Sequence, residues 1–108
     1  MKKLLLILLC LPMIGFGQKT YVPDNNFEIY LENNGMGDGV GLNDSVLTVN
    51  INSVSSLNIE FLGIASLIGI EDFTELNYLS CRFNLLTSID LSNNTSLEYL
   101  TIESNALT

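Results

Sequence analysis

The chain has 108 residues, 47% of them apolar, with twelve acids against four bases and no histidine. That length holds one hydrophobic core at most, and the apolar share is that of a globular chain rather than a disordered one. Without histidine the commonest base for serine or cysteine nucleophiles and the commonest zinc ligand are missing, and the acidic balance disfavours nucleic acid and anionic membranes as partners.

At the start, Lys2 and Lys3 precede an apolar run from Leu4 to Phe16 that closes on the small residues Gly15 and Gly17. This is the layout of a cleavable secretory signal. The thirteen residues of the run fall short of the roughly 20 that a spanning helix needs, and Pro12 and Gly15 weaken its end. A lipoprotein signal wants a small residue before its cysteine, whereas Leu9 precedes Cys10. Residues 1–17 therefore read as a signal cut after Gly17, which makes the mature chain secreted or held at the cell surface, with no membrane insertion after cleavage. That chain keeps Lys19 and Arg82 against all twelve acids, a formal charge of −10. It also keeps one cysteine, Cys81, so no internal disulfide can form.

Residues 18–53 read as an N-terminal cap. Pro23 and Asp24 make a helix start, Phe27, Tyr30 and Leu31 share one helical face, and Asn34 with Gly35 supply the stop. A glycine-rich loop follows from Gly35 to Asp44, and the alternation in Ser45–Ile51 predicts a strand leading into the next unit. Asp38, Asn43 and Asp44 are oxygen ligands of the kind calcium accepts, but their spacing fits neither the EF-hand nor the GGxGxD repeat. The loop is taken as solvated, with no metal and no cofactor assigned.

From residue 54 onward the chain repeats. Aligning Leu76–Ser96 with Leu97–Thr108 matches Leu76 with Leu97, Tyr78 with Tyr99, Leu79 with Leu100, Asn84 with Asn105, and Leu86 with Leu107, a period of 21 residues. The unit Val54–Glu75 fits with one extra residue, placing Val54, Leu57, Ile59, Ile64 and Leu67 opposite Leu76, Leu79, Cys81, Leu86 and Ile89. It departs at Leu62, which stands in the asparagine position. Residues 54–75, 76–96 and a partial 97–108 are thus successive copies of one unit. Apolar residues two apart, as in Leu79 and Cys81 or Leu100 and Ile102, line one face of a short strand, and stacked copies make a parallel sheet with that face in the core. Asn84 and Asn105 fall where the chain leaves the strand, where an amide can satisfy turn backbone that no ladder reaches. The short return segment predicts extended or 3-10 backbone rather than full helices.

The LxxLxLxxNxL frame resembles the leucine-rich-repeat superfamily, most of all its internalin-like bacterial type. The segment Ile64–Leu76 is similar to the convex half of such repeats, and Tyr21–Leu31 resembles the cap that precedes them. The resemblance implies an α/β solenoid: a right-handed β-superhelix with a parallel concave sheet, a mostly irregular or 3-10 convex side and a short helical N-terminal cap.

By register the solvent-facing strand positions are Ser56, Asn58 and Glu60, then Tyr78, Ser80 and Arg82, then Tyr99, Thr101 and Glu103. All but Ser56 are candidate ligand-binding residues. Tyr78 and Tyr99, one repeat apart, offer an aromatic strip for a sugar or peptide; strand packing alone also favours tyrosine. Glu60, Arg82 and Glu103 form either a polar recognition row or register-favouring ion pairs worth at most about 1 kcal/mol each. Phe83 beside that row is an exposed anchor or packs under the following loop.

Cys81 takes an inward position and reads as a small buried hydrophobe. Glu71 and Asp72 are adjacent on the return with no cleft implied, and no phosphate-binding loop or dinucleotide fingerprint occurs. No catalytic residue is assigned. The expectation is a non-enzymatic binding or adhesion module whose concave sheet takes a protein, peptide or glycan; the alternative is a spacer or truncated fragment of a longer surface protein. The chain stops at Thr108 in mid-repeat, which leaves an apolar edge open to self-association.

Overall fold

The computed structural model describes residues 17–107. The signal reading of residues 1–16, with Cys10, lies outside the described residues.

The described chain opens with β1 (Lys19–Tyr21), helix α1 (Asn25–Asn33) and β2 (Ser45–Leu47). Asp24 starts the helix because its Oδ1 accepts the Phe27 N–H at 3.0 Å, relieving a donor that has no partner inside the helix. The stop is a Schellman turn: Met36 N–H reaches Leu31 O at 2.8 Å, Gly35 N–H reaches Glu32 O at 3.3 Å, and Gly35 has φ +74°. Phe27 and Leu31 point into the core.

Two features of this unit differ from the sequence reading. The strand expected over Ser45–Ile51 ends at Leu47 and gives way to a 3-10 turn, Thr48–Asn50. It pairs antiparallel with β1, in the register Thr20 opposite Val46, rather than joining the repeat sheet. The cause is the Thr48 hydroxyl, held 2.7 Å from that of Thr20, which in turn donates to Asp72 at 2.7 Å and fixes the chain beside β1. The strand β1 itself carried no alternation long enough to read.

The repeats follow as β3 (Ser56–Asn58), β4 (Tyr78–Ser80) and β5 (Tyr99–Thr101), one parallel sheet in the order β3-β4-β5. Leu57, Leu79 and Leu100 are in register, as are Ser56, Tyr78 and Tyr99. A 3-10 turn, Ile70–Asp72, lies on the return of the first repeat. The strands are short because only the inward pair of each unit has a core to face. Leu57, Ile59, Ile64, Leu67, Ile70, Phe73, Leu76, Leu79, Cys81 and Leu86 bury together with Val22, Phe27, Leu31, Val46 and Ile51 as one core.

The joint between cap and repeats is made in three ways. Phe27 stacks on Phe73 with ring centroids 6.2 Å apart. Asp24 uses its second oxygen to accept from Ala65 and Ser66 N–H at 2.8 and 3.1 Å, so one carboxylate both starts the helix and holds the first return segment. Gly69, at φ +110°, lets the return touch β1: a Cβ there would lie 2.7 Å from Val22 Cγ2 and 2.9 Å from Tyr21 O.

Between repeats, Asn84 is the tie. Its Oδ1 accepts from Leu62 and Ile64 N–H at 3.1 and 3.0 Å, and its amide donates to Ile59 O at 2.8 Å and Cys81 O at 3.0 Å. Asn105 does the same one repeat later, accepting from Leu86 N–H and donating to Cys81 O and Ile102 O, at 2.9–3.0 Å. Each amide thus reaches back to the unit before it. Leu62 stands in that position in the first repeat, where the unit before is the cap and offers no matching turn. On the return side a buried amide not singled out in the sequence, Asn94, donates to Ile70 O and Phe73 O at 2.9 and 3.1 Å. Its Oδ1 has no partner among the described residues.

Glu28 is the one fully buried carboxylate among the described residues. Its two oxygens accept from Asn43 and Asp44 N–H, each at 3.0 Å, which fastens the end of the glycine-rich loop and holds Asp44 at φ +59°.

Three outcomes are expected. Asn84→Ala takes their side-chain partner from the Ile59 carbonyl and from the Leu62 and Ile64 N–H groups, while Cys81 O keeps Asn105, and costs about 3 kcal/mol or more in urea unfolding. Glu28→Gln turns an amide N–H toward a backbone N–H, costing about 1–3 kcal/mol and raising amide exchange at Asn43 and Asp44 above that of the β-sheet. Cys81 is fully buried, and burial followed by the charge of Glu103 pushes its thiol up to about 11. It should therefore resist iodoacetamide in the folded chain and react once urea unfolds it.

Candidate functional site

On the solvent side of the repeat sheet the in-register residues form rows. In the first, Ser56, Tyr78 and Tyr99 align, with Tyr99 62% exposed and Tyr78 half-buried. The second is Asn58, Ser80 and Thr101. Ser80 departs from its expected role: it is fully buried, so it supports the surface and does not present to solvent. Its hydroxyl accepts from Thr101 Oγ1 at 2.7 Å and donates to Glu60. The neighbouring side chains close over a residue this small, which strand alternation alone does not reveal.

Glu60, Arg82 and Glu103 make the third row. Arg82 meets Glu60 through Nε at 3.2 Å and Nη2 at 3.4 Å, and its Nε lies 3.6 Å from Glu103. The Ser80 hydroxyl, then Arg82, hold the Glu60 carboxyl below its ordinary range, and Glu60 in turn raises Arg82. Glu60 is saturated by these partners. Glu103 is not: its side chain is 62% exposed and Arg82 contributes only the longer contact.

Beyond the three rows lies a fourth, which the sequence reading found only in part. Phe61 and Phe83 stack with centroids 4.3 Å apart and planes 8° from parallel, and the Arg82 guanidinium sits 5.7 Å from the Phe83 ring centre. They are 68% and 42% exposed, so Phe83 is not tucked under the following loop. Both have φ +59°, and Ser104 holds the same place in the next repeat at φ +60°. The fold imposes this turn, since Phe61 N–H must reach Arg82 O and Phe83 N–H must reach Glu103 O as the chain leaves the strands. A left-handed residue other than glycine costs roughly 1–2 kcal/mol, and a stacked aromatic pair returns about 0.5–1.5 kcal/mol. Two such residues are therefore not explained by local stability. Phe61 was legible in the alignment, where it falls opposite Phe83.

Around the glycine-rich loop, Glu32 of α1 and Asp38 are both engaged. Glu32 accepts from Asp38 and Gly39 N–H at 3.0 and 3.1 Å, while Asp38 accepts from the Asn43 amide at 2.7 Å and pairs with Lys19 at 3.4 Å. The Asn43 hydrogen bond, foremost among these contacts, lowers Asp38 to about 2. Among the described residues no group of three or more histidine, cysteine or carboxylate side chains is gathered to hold a metal ion.

On the return side, where no cleft was expected near Glu71, a groove of about 620 Å³ runs between Leu67, Ile70, Glu71, Ile89, Asp90 and Asn93. Its carboxylates are engaged nearby: Glu71 accepts from Gly69 N–H at 2.8 Å and Asp90 from Ser92 N–H at 3.0 Å. Asp72 faces β1 instead, through Thr20.

No family model and no curated protein matches the chain. Solved structures do. The functional domain of InlJ from Listeria monocytogenes, described as including a cysteine ladder, is 32% identical over 84% of this chain with a TM-score of 0.67. An internalin, inlF, from Listeria monocytogenes is 29% identical over 82% with a TM-score of 0.71. This chain spans 20% of the first and 26% of the second. Cys81 here stands between Ile59 and Ile102, so no cysteines align in that row. In fold and in sequence the chain is similar to both internalins, and with its repeat frame and parallel sheet it is an internalin-like leucine-rich-repeat protein.

Proposed function

We propose that the chain is a surface or secreted protein-binding module that works through the solvent side of its repeat sheet. Residues 18–53 act as the cap and residues 54–108 as the recognition stack, with residues 1–17 as the export signal. The observation that carries this reading is the row of aligned tyrosines beside a braced arginine. Tyr78 and Tyr99 hold consecutive rungs, and Arg82 is fixed by Glu60 on one side and Glu103 on the other. Side chains already held in place lose little rotamer freedom on contact, and tyrosine and arginine are the residues that most often anchor protein interfaces. Asn58, Thr101 and Glu103 add hydrogen-bonding tips around them, with Ser80 acting beneath through Glu60.

The internalin-like neighbours support a protein partner over a glycan, and the reading assigns recognition rather than catalysis. A spacer would need none of this arrangement. The two separate on a double variant, Tyr78→Ala with Tyr99→Ala, tested by surface plasmon resonance against a panel of purified extracellular protein domains and glycans. A binding module holds at least one protein of the panel and loses at least tenfold in affinity in the variant. If the chain holds no protein, or holds it equally well without both rings, the sheet side is not the recognition surface.

A further inference from the structure

Phe61 and Phe83 are exposed, aligned and held in a backbone conformation that disfavours them, at a cost their mutual stacking does not fully offset. Glycine or asparagine would fit both positions with less strain, and Ser104 shows that the same place in the stack needs no ring. The two rings form an apolar ridge along one side of the sheet rows, flanked by Arg82 and, through the Phe83 N–H bond to its carbonyl, by Glu103.

The charge beside the ridge points to what it meets. Residues 18–108 hold two bases against twelve acids. Both bases are already paired, Lys19 with Asp38 and Arg82 with Glu60 and Glu103. The row next to the ridge is therefore negative by one charge, and the excess sits on the exposed Glu103. A second copy of so acidic a chain is repelled, whereas a cationic surface is attracted.

We propose that the Phe61–Phe83 ridge docks a basic polypeptide segment carrying apolar side chains, which pack on the rings while a lysine or arginine reaches Glu103. This names the partner's chemistry for the binding surface proposed above and rests on that reading.

The test uses the purified chain and three acetylated eight-residue peptides, alternating leucine-lysine, leucine-glutamate and serine-lysine, followed by titration calorimetry. The leucine-lysine peptide is expected to bind, with the other two at least tenfold weaker. The Phe61→Asn, Phe83→Asn double variant should lose at least tenfold in affinity while keeping or raising its thermal midpoint. Glu103→Gln, altered only at an exposed tip, should lose several-fold and show a weaker salt dependence. Ile29→Ala, altered on the exposed side of α1 and away from the repeat sheet, should bind the peptide within about twofold of the parent chain.

No binding of the leucine-lysine peptide overturns the proposal, as does equal binding of serine-lysine, which would make the attraction one of net charge alone. A lowered midpoint with unchanged affinity in the phenylalanine variant assigns the rings a packing role and also overturns it. Binding lost in the tyrosine variant but kept in the phenylalanine variant overturns the ridge and leaves the sheet-side reading standing. Loss in the phenylalanine variant with the thermal midpoint kept, and unchanged binding in Ile29→Ala, supports the ridge.

Discussion

A stack of short strands has a problem that longer sheets avoid. Each unit spends three residues on the ladder and then turns away, leaving buried carbonyls and N–H groups with nothing opposite. Asn84 resolves it for the first two repeats, because one amide carries both donors and an acceptor and can serve both kinds of orphan at once. An aspartate would lack the donors, and a glutamine would place its amide one carbon too far. The other features described follow from this tie. It fixes the height at which one repeat sits on the next, which sets the register of Leu57 with Leu79 and of Tyr78 with Tyr99, and it forces the left-handed turn that places Phe61 and Phe83.

How much of this could be read from residues alone depends on whether a feature repeats. The leucines and asparagines recur, so the sheet, its inward face and the turn amides were legible. Phe61 and Asn94 were legible in principle: Phe61 aligns with Phe83, and Asn94 aligns with a buried phenylalanine, Phe73. Other features occur once. Glu28 looks like an ordinary surface acid of an amphipathic helix, and nothing nearby in the chain announces that its partners are fifteen and sixteen residues away. β1 is three residues of mixed polarity whose only reason to be extended is the strand it meets. Ser80 alternates as a solvent-facing residue should and is buried all the same, because its neighbours on either strand are longer than it is.

The solvent side of the sheet combines two regimes. Along Glu60, Ser80 and Arg82 the charges satisfy one another, so that part of the surface is rigid and close to neutral. Around Tyr99, Glu103 and the paired phenylalanines, the side chains are exposed and only partly engaged. A braced centre beside an unsaturated margin is the distribution that lets a surface keep its shape while still having contacts to offer.

Exposure along the inward leucines is 1% at Leu57, 0% at Leu79 and 40% at Leu100. The cap covers one end of the core with an aromatic pair, a shared carboxylate and a glycine contact, and nothing comparable among the described residues lies over β5. Within the described residues the bracing is therefore mechanically uneven: the cap and first repeat form a stiff, cross-braced block, whereas the later rungs are held one to the next by their asparagine amides, like successive stitches of a seam.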